Sequence, residues 1–84
     1  MKKVTIYSTP TCHFCHMAKD FFTANGIEFT DYNVGEDMEK RAEMIEMTDQ
    51  MGVPVIRIHT EGQEDDIMVG FSKDLVAQKL GIAA

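Results

Sequence analysis

Eighty-four residues, 44% apolar and 26% charged, with a formal net charge of −6, suit one domain spanning 1–84. The acidic residues gather in Glu36 to Glu46 and Glu61 to Asp66, which argues against nucleic acid and anionic lipid as partners. No apolar run approaches the roughly 20 residues that cross a bilayer, and Met1-Lys2-Lys3 leads straight into a strand pattern without a signal-like segment, so a cytoplasmic monomer is expected.

The first strand runs from about Lys3 to Ser8 on the alternation of Val4-Thr5-Ile6-Tyr7. Ser8-Thr9-Pro10-Thr11 then turns the chain into a helix from about His13 to Asn25, with Met17, Ala18, Phe21 and Phe22 on one face and Asn25-Gly26 as its stop. Ile27 to Asn33 alternates again, and a right-handed crossover makes it a parallel neighbour of the first strand. Glu36 and Asp37 offer an acidic start to a second helix reaching about Asp49. Met38, Ala42 and Ile45 lie together on it, while Met44, Met47 and Met51 fall well round the cylinder, suited to irregular core filling or to exposure beside the following turn.

Gly52 and Pro54 break the periodicity before Val55-Ile56-Arg57-Ile58, apolar enough for a central strand. The polar stretch Thr60 to Asp66 forms a hairpin to a short fourth strand, Ile67-Met68-Val69, closed by Gly70. Ser72 caps a last helix carrying Leu75, Val76 and Leu80, with Asp74 near its positive end and Gly81 past its tail. The order is β-α-β-α-β-β-α, an α/β arrangement.

Cys12-His13-Phe14-Cys15 stands where the first strand gives way to the first helix. Two residues between thiols on the first turn let both sulfurs meet in a small ring, and the helix amino end stabilises negative charge on the exposed one. Cys12 is the expected nucleophile and Cys15 its resolving partner. In a reducing compartment so close a pair serves catalysis or metal binding rather than stapling. Cys12 to His16 also satisfies the C-x-x-C-H pattern of haem attachment, which would require export and would open the strand-helix junction. Zinc held by Cys12, Cys15 and two histidines is the other metal reading, but a structural zinc needs four ligands brought together and no second C-x-x-C is present. No bound metal or cofactor is expected.

The order of elements, Ile6-Tyr7-Ser8 leading to Cys12-His13-Phe14-Cys15, then Ala18-Lys19, the Gly26-Ile27 turn, Val53-Pro54-Val55 and Val69-Gly70, resembles the thioredoxin fold and its glutaredoxin branch over essentially the whole chain. The resemblance implies a four-stranded mixed sheet flanked by helices, a cis Val53-Pro54 bond that brings Pro54 against the thiols, and a Val53 backbone free to pair with an extended thiol substrate. It implies a thiol-disulfide oxidoreductase that reduces disulfide-containing proteins or glutathione-mixed disulfides.

His13 and Phe14 replace the usual Pro-Tyr between the cysteines, and Thr9 replaces a lysine before them. His13, when protonated, would favour the thiolate, and Phe14 would shield the thiols, touch the substrate or pack in the core. Gln50 resembles the residue that binds the glycine carboxylate of glutathione, a co-substrate of the family. Gly70-Phe71-Ser72-Lys73 stands where the family cradles the γ-glutamyl end, with Gly70 and Ser72 retained and Lys73 in place of a carboxylate. Gly70-Phe71 followed by Asp74-Leu75 is similar to the redoxins that take electrons from thioredoxin reductase and pass them to ribonucleotide reductase. The carrier is therefore glutathione or thioredoxin reductase. A further role implied by some glutaredoxins is an iron-sulfur cluster bridged between subunits through Cys12 and glutathione.

Overall fold

The computed structural model describes residues 2–82. Its elements are β1 (Lys2–Ser8), α1 (His13–Ala24), β2 (Phe29–Asn33), α2 (Met38–Thr48), β3 (Val55–Thr60), β4 (Asp66–Val69) and α3 (Lys73–Leu80). The expected order of seven elements is observed. The strands form one mixed sheet in the order β2-β1-β3-β4, with β2 parallel to β1 and the pairs β1-β3 and β3-β4 antiparallel.

Period-2 alternation along β1 sends Val4 and Ile6 to one face and Tyr7 to the other. The first face meets α1 and α3 in a core of Ile6, Phe22, Ile56, Ile58 and Val76, all without solvent exposure. The second face packs Tyr7 and Val55 against Met44 of α2 and Val34. Val69 pairs with Val55 and Val55 with Tyr7, so the carboxyl ends of β1 and β4 and the amino end of β3 share one end of the sheet. The segments 9–12, 52–54 and 70–72 therefore emerge side by side.

Several boundaries differ from the alternation-based expectation for physical reasons. Strand β2 starts at Phe29 rather than Ile27, because Ile27 completes the end of α1: its N–H donates to the Phe22 carbonyl at 2.8 Å, while Gly26, at φ 66°, donates to Thr23. Only a residue without a Cβ takes that left-handed turn at little cost. On α1 the buried stripe is Cys15, Ala18 and Phe22, and Met17 is exposed.

Helix α2 overturns the expected grouping: Met44 is its fully buried anchor, whereas Met38 is 60% exposed and Ala42 also faces solvent. Asp37 caps this helix, accepting from the Lys40 N–H at 3.0 Å. On α3 the buried pair is Val76 and Ala77, with Leu75 exposed, and Ser72 occupies the cap position without a side-chain cap bond.

Candidate redox site

Cys12 is the amino-terminal cap of α1. Its extended backbone (φ −84°, ψ 112°) stops the helix one residue short, and its Sγ accepts the Cys15 N–H at 3.1 Å. A capping sulfur thus takes the place of the usual capping oxygen. Cys15, one turn later on the buried stripe, has no solvent exposure, while Cys12 is partly exposed. The two are disulfide-linked with Cα atoms 5.2 Å apart. One sulfur faces solvent and the protein's own N–H, and the other faces the core.

The flanking segments are assembled by the sheet. The Val53-Pro54 peptide is cis and Pro54 is buried. Gly70, at φ 87°, turns its N–H onto the Pro54 carbonyl at 2.8 Å, extending the β3-β4 ladder by one rung. The backbone N–H and C=O of Val53 make no hydrogen bond among the described residues. His13 and Phe14 project outward from the first turn, their rings edge to face at 5.6 Å, and Phe14 is 56% exposed, which removes the core-packing reading of that residue.

Gln50 hydrogen-bonds within its own loop. Its Oε1 accepts the Gly52 N–H at 2.5 Å and its Nε2 donates to the Gly52 carbonyl at 3.0 Å, so the amide is closed upon its own loop. A glycine carboxylate, which can only accept, would compete for the Nε2 donation and leave the Gly52 N–H bond to Oε1 in place. Ser72 is exposed and its hydroxyl makes no hydrogen bond among the described residues, and the Phe71 ring lies tilted against Phe21 of α1 at 5.9 Å.

Two features escaped sequence reading. Lys19 pairs with Asp31 at 2.9 Å, and the buried Ser8 hydroxyl donates to the same carboxylate at 2.5 Å, tying α1, β1 and β2 together behind the thiol end. Helical spacing of Lys19 from Cys15 and the facing of Asp31 by β-alternation were the available signals. The second is His16, whose ring Nε2 lies 2.7 Å from the Pro10 carbonyl oxygen. Among the described residues no group of three or more His, Cys, Asp or Glu is placed to hold a metal, and no helix is long and apolar enough to cross a membrane.

A C-x-x-C disulfide at the amino end of the first helix, beside a cis-proline turn on this mixed sheet, defines a thioredoxin-fold protein with a redox-active C-x-x-C pair. The chain belongs to the glutaredoxin family, whose model matches residues 4–62. It is 44% identical over 70 residues to the glutaredoxin-like 8.6 kDa protein of the rubredoxin operon of Clostridium pasteurianum, covering 83% of this chain and 87% of that one. Glutaredoxin 3 of Escherichia coli is 35% identical over 68 residues, covering 77% and 82%. Among solved structures, the glutaredoxin-like NrdH-redoxin of Escherichia coli superposes with a TM-score of 0.69 at 26% identity, covering 90% and 92%.

Proposed function

We propose that this protein is a thiol-disulfide oxidoreductase in which Cys12 is the attacking thiolate and Cys15 the resolving thiol. The observation that carries this reading is the asymmetry of the pair: Cys12 is accessible and capped by a helix N–H, and Cys15 is buried behind it. The helix terminus stabilises an anion at Cys12 Sγ and lowers its pKa from the free value of about 8.5. That thiolate attacks one sulfur of a substrate disulfide, whose other sulfur leaves and takes up a proton. Cys15 then loses its proton and attacks Cys12 Sγ, expelling the second substrate thiol. Two electrons pass to the substrate, and the Cys12–Cys15 disulfide remains.

During the mixed-disulfide stage the unpaired backbone of Val53 offers a donor and an acceptor to an extended substrate segment, beside Pro54 and Gly70. Protein disulfides, that of ribonucleotide reductase among them, suit this strand-like docking. Exposed Phe14 and His13 would flank the entering segment.

The electron donor that the site favours is a thioredoxin-reductase-type enzyme rather than glutathione. Gln50 is closed upon Gly52, and the Lys73 amine stands where a carboxylate would meet the glutathione ammonium. Losing even one good polar contact is worth about tenfold in binding when the other group stays unpaired.

The test is NADPH-coupled turnover of a protein disulfide with thioredoxin reductase, set against glutathione plus glutathione reductase. At least about tenfold faster turnover with the first is expected, and the reverse order would overturn the donor assignment. Cys12→Ser should abolish turnover with either donor. If that variant reduces disulfides at the native rate, the assignment of roles fails.

A further inference from the structure

His16 stands four residues after Cys12, on the same face of α1. It grips the approach to the thiol at two points. Its backbone N–H donates to the Cys12 carbonyl at 3.2 Å, and its ring Nε2 lies 2.7 Å from the Pro10 carbonyl oxygen. A carbonyl can only accept, so Nε2 carries the proton. Among the described residues the Pro10 carbonyl has no other partner. The rest of the turn is held loosely: the Cys12 N–H reaches the Thr9 carbonyl at 3.3 Å, and Pro10 has no N–H to give.

We propose that His16 is a positioning residue of the redox site, which ties the Pro10 carbonyl to the first turn of α1 and so holds Cys12 Sγ on the helix terminus when the disulfide is open. The inference rests on the reading of Cys12 as the attacking thiolate. In the oxidised protein the covalent bridge fixes Cys12 against Cys15. Once reduced, Cys12 keeps its place only through the backbone of the turn, the Cys15 N–H and the His16 ring. Helix-terminal stabilisation falls off within the first turn, so drift of the 9–12 segment raises the Cys12 pKa and thins the thiolate population. His16 touches neither substrate nor sulfur in this role; it acts through the Pro10 carbonyl.

The experiment measures iodoacetamide alkylation of Cys12 at neutral pH, together with the ultraviolet titration of its thiolate. It uses the reduced full-length chain carrying Cys15→Ser, so that a single thiol reacts. His16→Ala should alkylate about three- to fivefold more slowly and titrate at higher pH, the loss of one hydrogen bond expressed at the sulfur. His16→Gln, whose terminal amide reaches about as far from Cβ as Nε2 and can donate to a carbonyl, should restore the native rate. His16→Asn is too short to reach and should behave like alanine, and it decides the matter if the alanine variant fails to fold.

Native alkylation in the alanine or asparagine variant would overturn the proposal, as would a glutamine variant no better than alanine. Alkylation is read without any electron donor. A wrong assignment of the nucleophile would show instead as turnover surviving Cys12→Ser.

Discussion

On one face of the sheet Ile6, Phe22, Ile56, Ile58 and Val76 close on one another without solvent exposure, whereas the face beneath α2 buries Tyr7, Met44, Val55 and Val34 and then gives way to charge. Arg57 bonds Asp65 at 2.5 Å and Glu43 at 3.4 Å, and His59 meets Asp65 at 2.6 Å. Farther from the thiols an open hollow is lined by Lys3, Thr30 and His59. The first face anchors α1, and with it the cysteine pair, through nondirectional apolar burial. The second holds α2 and the β3-β4 hairpin by a short core and a strap of ion pairs.

The largest expected difference lies in the first core. Phe22→Ala, at a fully buried site, should cost about 4 kcal/mol in urea unfolding. A loss under about 2 kcal/mol would show that this face is not the main support of α1. On the other face Met44→Ala should cost about 3 kcal/mol, and Met38→Ala, on the same helix but largely exposed, no more than about 0.5. Equal effects at the two methionines would dissolve the distinction between anchor and surface on α2.

The same contrast explains what could be read from the sequence. The α1/α3 face is built from the alternation of β1, the apolar run of β3 and one amphipathic helix, so Val4, Ile6, Ile56, Ile58, Ala18 and Phe22 stand out in the sequence. Helix α2 carries methionines nearly all round, and its orientation is set by Tyr7 and Val55 above it, contacts that no local period encodes. At the redox site the C-x-x-C spacing and the cis Val53-Pro54 bond were legible, the first from helix geometry and the second from resemblance. The closure of Gln50 onto Gly52 and the reach of His16 to Pro10 were not, because both depend on side-chain rotamers in loops without a repeating pattern.

A smaller effect separates the polar part of the second face from its apolar part. Tyr7 is buried, and burial raises its hydroxyl above the ordinary tyrosine pKa of about 10 against the opposing pull of Arg57. Tyr7→Phe should cost about 1 kcal/mol at neutral pH, since it leaves Arg57 without that neighbour while keeping the ring against Tyr32 at 5.7 Å. Because the folded pKa is the higher one, the native protein should lose stability as pH rises from about 10 through that value. The phenylalanine variant should show a smaller alkaline loss, the rest following Lys40, whose pKa the Glu43 carboxylate beside it also raises, and an unchanged alkaline limb would remove Tyr7 as a source.

The acid side tests the strap itself. His59 and then Arg57, both bonded to its carboxylate, hold Asp65 below the usual aspartate range. A depressed folded pKa contributes stability above the unfolded value of about 3.9, and the contribution is lost as pH falls through the folded value. Urea midpoints followed downward from about pH 5 should therefore drop more steeply in the native chain than in Asp65→Asn, which has no carboxylate to protonate there. The effect should be the smallest of the set, since the partners are partly solvated and such pairs are screened by water and salt. Superimposable acid limbs in the two proteins would show that the Asp65 ion pairs add nothing to the hold on the β3-β4 hairpin. In that case the hairpin end of this face would be a solvated surface rather than part of a strap.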